Sequence, residues 1–387
     1  MSNFWEISNW EEWDPHLKKL KSMPFRRKYP FIPDQIGLHM IRGPRQIGKS
    51  SWLKEILSHY APLKKCFYLS CENVVDHKEL AEILASIRDR QVVLLDEISF
   101  VKDWDRAIKH EVDSGLQSIL VITGSHAHDL KRGADQMPGR FEGGGEFELL
   151  PMLFEEFHQI RKNIGWASED LQKEYSAYFK IGGFPSAVAE AGKENKAPIE
   201  AMKTYWKWLK GDALKLGKQE ELLKEIMIQI AQCMQSPISF QTLAKKTSIA
   251  SHSTVQDYIH VLNSCFAVKQ LNAVDIDTGA FRFRKDKKFY FTDPLLFWIA
   301  IDLSGRTPQS QSEEMIAELV AHEFLSRKFH RFGYFSNAHG EIDFILPQEW
   351  AIELKWADYA KNLSRAYLSL NLLNKKVWTK QNFLKLD

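Results

Sequence analysis

The chain alternates short, unbroken apolar runs with longer stretches whose apolar residues recur at helical spacing. The runs at 36–41, 66–70, 92–96 and 118–124 predict strands buried on both faces. Between them, 49–60, 77–90 and 103–113 read as helices. Leu80, Ile83, Leu84 and Ile87 fall on one face of the second. Buried strands separated by helices predict a parallel sheet covered on both sides. Gly143, Gly144 and Gly145 punctuate the chain before a further strand at 146–150. From Pro151 the rhythm changes. Helical spacing runs through 154–164, 170–180 and 199–214, as expected of a helical lid or connecting region. Two more helical patterns lie within 219–300, with an aromatic, basic stretch at 281–291, and polar residues 304–310 read as a linker. The remainder predicts a helix, strands at 342–346 and 351–355, and mixed structure to the end. No internal repeat and no low-complexity segment interrupts this pattern.

Composition narrows the setting. A length of 387 residues suits two or three domains. With 44% apolar and 26% charged residues the chain has the balance of a soluble globular protein. A net charge of +2 creates no overall field for a nucleic acid or a membrane, so any basic surface must be local. The 12 Trp and 24 Phe read as core and domain-interface material. Cys66, Cys71, Cys233 and Cys265 stand apart without a CxxC pair, so no zinc site is expected and a reducing cytoplasm fits. Residues 1–15 lack a basic and then apolar leader pattern, and the apolar stretch near 297–301 is too short to span a bilayer. A cytoplasmic location without a membrane partner is therefore expected.

The first strand feeds Gly43-Pro44-Arg45-Gln46-Ile47-Gly48-Lys49-Ser50, followed by Ser51 at the start of a helix. Glycines let a backbone wrap a phosphate with its N–H groups. Lys49 supplies a point charge between β- and γ-phosphates, Ser50 offers a hydroxyl to Mg²⁺, and the helix N-terminus adds its dipole. This predicts binding of a nucleoside triphosphate with Mg²⁺. ATP is the expected nucleotide, and no Asn-Lys-x-Asp base-reading motif argues for guanine.

A second apolar strand ends in Asp96-Glu97. Asp96 can reach the Mg²⁺ shell and Glu97 can polarise water, which predicts hydrolysis as well as binding; the alternative for Glu97 is a surface charge after a strand. The strand at 118–124 runs into Thr123-Gly124-Ser125-His126. Ser125 and Thr123 are both candidates to touch the γ-phosphate or the attacking water, with Ser125 slightly preferred, and a turn-forming serine is the plain alternative. Arg140 could stabilise transition-state charge in cis or on a neighbouring subunit of a homo-oligomer, or could pair with Glu142.

At Gly43 through Ser50, Leu94-Leu95-Asp96-Glu97-Ile98, Thr123-Gly124-Ser125 and Gly182-Gly183-Phe184-Pro185, the chain resembles a group of prokaryotic AAA+-type ATPases. These carry a winged helix and a C-terminal PD-(D/E)xK nuclease-like domain of unknown function. The resemblance covers nearly the whole chain. It implies an α/β fold with a P-loop ASCE/AAA+-type parallel sheet and helical lid, then a winged helix, then a small α/β nuclease-like domain. The corresponding segments are 1–195, 196–303 and 304–387. It also implies that Lys49 and Ser50 match the Walker A lysine and hydroxyl, that Asp96 and Glu97 match the Walker B pair, and that Thr123-Gly124-Ser125 falls at the sensor.

Residues 240–246 and 251–262 read as helix, short turn, helix. Leu243 and Ala244 supply the first apolar face, Val255, Ile259 and Leu262 the second, and Ser251 can cap the second helix. His252, Ser253, Gln256 and His260 are left to face outward, where polar groups could read base edges. Arg282, Arg284, Lys285, Lys287 and Lys288 crowd a hairpin that could lie on the phosphates of double-stranded DNA. A packing module with a solvated basic hairpin is the alternative.

Further on, Glu341-Ile342-Asp343-Phe344 is followed by Ala351-Ile352-Glu353-Leu354-Lys355. An antiparallel pair would bring Asp343, Glu353 and Lys355 to one end, and alternation puts Glu353 and Lys355 on one face. Two carboxylates could hold Mg²⁺ while the lysine orients a water, as in the nuclease core this stretch resembles. Glu318 and Glu323 are the acids available on the helix before it. Ala317 stands where the related pattern has its glutamate, which moves the acid by one position, about 100° around a helix. An ordinary surface pair of Glu353 and Lys355 is the alternative. The expected function is thus ATP hydrolysis driving a conformational switch coupled to DNA or a protein partner. The alternatives are an ATP-dependent metal nuclease and a nucleotide-gated DNA-binding regulator.

Overall fold

Two packing units, Met1–Pro151 and Met152–Asp387, make up the computed structural model. It describes residues 4–7, 9–124, 130, 133, 137–306, 312–360, 362–372 and 374–386. Among them no helix is long and apolar enough to cross a membrane.

The first unit is built on five described strands: β1 (Gly37–Arg42), β2 (Cys66–Ser70), β3 (Val92–Asp96), β4 (Ile119–Gly124) and β5 (Gly145–Glu148). They pair in the order β2-β3-β4-β1-β5, every pairing parallel. Of the four strands read as unbroken apolar runs, β3 and β4 are buried at every position and lie inside the sheet, where both faces need a cover, while edge strand β2 is half-buried or exposed from Tyr68 onward. That cover is amphipathic. The helix His77–Ser86 buries Leu80 and Leu84, and Trp104–Asp113 buries Trp104, Ala107 and Ile108. Edge strand β5 alternates half-buried with exposed residues, and its Glu146 and Glu148 pair with Arg42 of β1. The predicted helix at 77–90 stops early because Ile87 leaves helical geometry as its C-cap. The helices Trp10–Trp13 and Pro15–Ser22, which no clear periodicity announced, form the N-terminal segment.

Register does the functional placement. The strand ending at Thr123-Gly124 lies between the strand that feeds the glycine loop and the strand that ends in Asp96. All three therefore deliver their C-terminal ends to one edge of the sheet, where ligands of open parallel sheets are bound.

In the second unit the helices Phe154–Asn163, Leu171–Ile181, Pro185–Ala191 and Ile199–Lys215 come first. The helices Glu220–Cys233, Phe240–Lys245 and His252–Ser264 precede an antiparallel pair, β6 (Val268–Asn272) and β7 (Lys287–Phe291). After the helices Pro294–Leu303 and Ser312–Lys328 comes a sheet ordered β11-β10-β9-β8. It contains β8 (Gly333–Asn337), β9 (Gly340–Leu346), β10 (Trp350–Leu354) and β11 (Asn374–Trp378). The expected β9–β10 pairing is antiparallel, while β10 and β11 are parallel.

The Gly182-Gly183 pair has a steric reason. A Cβ on Gly183 would stand 2.0 Å from the Met152 carbonyl oxygen, and one on Gly182 2.1 Å from Asp293 Oδ1. Asp293 is 1% exposed and accepts from the Gly183 and Leu295 amides, capping the helix Pro294–Leu303. Burial pushes its carboxyl up to about 7, against the pull of those two amides. A folded-state value above the unfolded one means that folding takes up a proton. The associated stability is present in full below about pH 4 and is lost as pH rises toward 7. Relative to Asp293→Asn, the wild type should lose up to about 1.4 kcal/mol per pH unit across that window. Urea unfolding at several pH values reads this directly. A gap independent of pH would show that Asp293 is ionised throughout.

Candidate nucleotide site

The loop between β1 and the helix Lys49–Tyr60 takes the backbone shape its glycines permit. Gly43 has φ 157° and Gly48 φ 107°, with Gln46 between them at φ 59°. A Cβ on Gly43 would lie 2.0 Å from the Leu149 carbonyl oxygen, so only glycine passes there. The loop rests on a firm floor: Ile47 is buried, and Trp52 of the following helix is buried against Tyr29, the rings stacked at 5.4 Å. Trp52 Nε1 also donates to the Phe31 carbonyl at 2.9 Å. Lys49 is buried and its Nζ donates to the carbonyls of Gly43 and Pro44 at 2.9 and 2.8 Å. The ammonium is thus folded into the loop itself, within the ring of backbone that would receive phosphate.

Ser50, Asp96 and Thr123 meet at one point. Ser50 Oγ donates to Asp96 Oδ1 at 3.1 Å, and Thr123 Oγ1 donates to the same oxygen at 2.6 Å. The other carboxylate oxygen accepts from Tyr68 of β2 at 2.9 Å. A hydroxyl and a carboxylate side by side are hard oxygen donors of the kind Mg²⁺ takes, so Ser50 and Asp96 fit the metal role assigned to them. Glu97 turns off the strand with φ 53° and is half-buried; its amide donates to Thr123 Oγ1 at 3.2 Å. Thr123 therefore bridges Asp96 and the Glu97 backbone. Ser125, the preferred partner in the sequence, lies outside the described residues. Arg140 makes a two-pronged pair with Asp113, at 2.7 and 3.1 Å, where the sequence offered Glu142 as its structural partner.

Three residues at this edge were missed. Tyr68 sits in an apolar run that reads as plain core, Lys54 lies on a helix where a lysine normally faces water, and Asp14 falls in a segment with no motif. Lys54 is buried and paired with Asp14 at 2.9 Å, its Nζ 3.6 Å from the Tyr68 ring centroid. Burial lowers its pKa, against the pull of Asp14 and Asp96.

The acids assigned to a C-terminal metal centre come near one another, with Asp343 acting on Glu318, Glu353 and Lys355, but they share the place with a buried lysine. Lys288 is fully buried, with its Nζ 2.9 Å from Glu318, 2.5 Å from Glu341 and 3.6 Å from Asp343. Tyr290 donates to Glu318 at 2.6 Å, Asp343 accepts the Leu354 amide at 2.8 Å, and Glu353 pairs with Lys355 at 3.1 Å. Glu353 is raised by burial and by Asp343, and Glu318 is raised by burial against the opposing pull of Lys288. Glu323 is held separately by Lys269 and Arg327. Among the described residues no group of three or more acids, histidines or cysteines could hold a metal ion. Glu318, Glu341 and Asp343 do not fit Mg²⁺ as arranged, because the Lys288 ammonium already engages all three.

Lys288 also requires a correction as a DNA contact: β7 carries it inward, where a phosphate cannot reach. Lys287 is half-buried and donates to the Phe283 and Lys285 carbonyls, and Arg282 is engaged by Asp275, whose carboxyl it holds well below the usual range. Arg284, Lys285, His252, Gln256 and His260 are exposed, and the Ser251 side chain caps the helix His252–Ser264.

Residues 37–158 match a family described as an AAA domain, and residues 172–307 match one described as a domain of unknown function, DUF8612. An uncharacterised protein of Haemophilus influenzae is 26% identical over 298 residues, 72% of this chain and 73% of that protein. The uncharacterised protein MJ1544 of Methanocaldococcus jannaschii is 24% identical over 356 residues, 85% of this chain and 76% of its own length. Among solved structures, the Walker-type ATPase of Pyrococcus abyssi is similar with a TM-score of 0.47 at 13% identity, over 76% of this chain and 96% of that one. The Thermotoga maritima RuvB Holliday junction branch migration motor gives 0.33 at 17% identity, over 60% and 81%. The first unit is a mixed α/β domain on a five-stranded parallel sheet, and the match to the AAA domain falls within it but for its last seven residues.

Proposed function

We propose that this chain binds ATP with Mg²⁺ and hydrolyses it, and that hydrolysis drives a conformational switch coupled to DNA or a protein partner. One observation carries the reading: Ser50 and Thr123, from different elements, converge on a single oxygen of Asp96 beside the Lys49 loop. The loop amides would take the phosphates, Lys49 would leave its carbonyls for them, and Ser50 and Asp96 would hold Mg²⁺, which supplies charge neutralisation on the phosphates. Glu97 would orient and deprotonate the attacking water. Gly43 to Ser51 form the binding loop, and Arg140 would act in a homo-oligomer only by leaving Asp113.

The division into 1–195, 196–303 and 304–387 belongs to this reading, with the helices and β6–β7 of the middle segment serving as a winged helix. The exposed His252, Gln256, Arg284 and Lys285 support double-stranded DNA as the partner. An ATP-dependent metal nuclease is disfavoured by Lys288. For the leading reading the test is steady-state phosphate release by wild type and Lys49→Ala. Loss of activity by roughly a hundred-fold or more is expected, and an equal rate in both proteins would sink it.

A further inference from the structure

We propose that Tyr68, braced by Lys54 and Asp14, is a positioning residue for the Mg²⁺ site, so that the N-terminal segment is a working part of nucleotide binding. The inference rests on the reading of Ser50 and Asp96 as the metal-holding pair. It starts from the two oxygens of Asp96. Oδ1 takes Ser50 and Thr123, and Oδ2 takes only the Tyr68 hydroxyl among the hydrogen bonds of the described residues. A carboxylate held on both oxygens cannot rotate. When Ser50 turns its hydroxyl toward Mg²⁺, Thr123 and Tyr68 remain to fix the plane of Asp96. Such outer partners set how well a ligand is aimed.

Tyr68 is itself held from the far side. Lys54 Nζ lies 3.6 Å from its ring centroid and 4.1 Å from that of Phe4, and Phe4 meets Tyr68 edge-on at 5.7 Å. The ammonium is fixed by Asp14 at 2.9 Å, both side chains about 95% buried. Asp14 is fixed in turn because its other oxygen accepts the His16 and Leu17 amides, as the N-cap of the helix Pro15–Ser22. A continuous chain of polar contacts thus runs from that helix through Lys54 and Tyr68 to Asp96. A buried ion pair is costly to desolvate and is weak support for the fold by itself. Here it sets the position of a phenol that reaches the proposed metal ligand.

The test is equilibrium binding of a fluorescent ATP analogue, in excess Mg²⁺ and in EDTA, with wild type, Tyr68→Phe and Asp96→Asn. Tyr68→Phe removes one hydroxyl and keeps the ring under Lys54. It should weaken binding in Mg²⁺ roughly ten-fold and leave binding in EDTA unchanged, with the thermal midpoint lowered by only a few degrees. The double variant Asp14→Asn with Lys54→Met should move binding in the same direction by less. Unchanged Mg²⁺ dependence in Tyr68→Phe, alongside its loss in Asp96→Asn, overturns the role of Tyr68 and spares the site. Equal weakening with and without Mg²⁺ overturns it too, since a merely structural tyrosine behaves that way. If wild type binds no better in Mg²⁺ than in EDTA, the metal pair itself is wrong and the inference falls with it.

Discussion

Glu97→Gln should reduce ATP turnover by roughly a hundred-fold or more while leaving nucleotide affinity within a few-fold of wild type. The substitution keeps the shape of the side chain and the αL backbone at φ 53°, which an amide tolerates as well as a carboxylate. The Glu97 amide still donates to Thr123, so Asp96 keeps its partners. What is lost is the ability to accept a proton from water, a contribution of about 10²- to 10⁴-fold in rate where a side chain plays that part. Lys49→Ala differs in kind, because it removes charge the phosphates need and so weakens binding as well. Phosphate release at saturating ATP, set against binding of a fluorescent analogue, separates the two. Turnover by Glu97→Gln close to that of wild type would remove Glu97 from the chemistry and leave a nucleotide-gated regulator as the better reading.

How far the sequence reached depended on whether the signal was local. β3 and β4 are buried at every position, so an unbroken apolar run was enough to place them. The glycine loop was legible because positive φ at Gly43 and Gly48 demands a residue type that shows in the text. The meeting of Ser50, Thr123 and Asp96 was half legible: the parallel pattern brought the strand ends together, but side-chain spacing alone could not show that Thr123 would meet Asp96. Tyr68 was invisible because its hydroxyl is used by a strand neighbour, while its ring reads as core. β8 and β11 were missed for a related reason: β8 mixes Gly333, Ser336 and Asn337 with two aromatics, and β11 begins Asn374-Lys375-Lys376 at a sheet edge. The misreading of Lys288 has the same origin. Among the five basic residues within 282–288 each looks solvated, yet pleating sends the neighbours Lys287 and Lys288 to opposite faces, and the carboxylates that receive Lys288 lie far along the chain.

That placement makes Lys288→Met the most damaging single change expected in the second unit. The side chain is 0% exposed and its ammonium holds Glu318, Glu341 and Asp343. Methionine fills similar volume, so the loss would be electrostatic. Breaking a buried ion pair from one side costs about 3–5 kcal/mol, since the charge left behind has no counter-ion. Here several carboxylates are left, with Tyr290 still donating to Glu318. The variant must then respond by taking up protons. Burial already pushes Glu341 up to about 7 with Lys288 beside it, and Glu318 is also raised. Removing the cation moves both further up. A carboxyl raised in the folded state stabilises at low pH and loses that contribution as pH rises through its folded value. The deficit of Lys288→Met should therefore be smaller near about pH 5 than near about pH 8, and adding Glu318→Gln should recover part of it. Guanidinium unfolding of the three proteins at both pH values measures this. A loss below about 1 kcal/mol at the higher pH would mean that the ammonium is solvated in solution. The carboxylates would then be open to a divalent ion, and the nuclease reading would regain its footing.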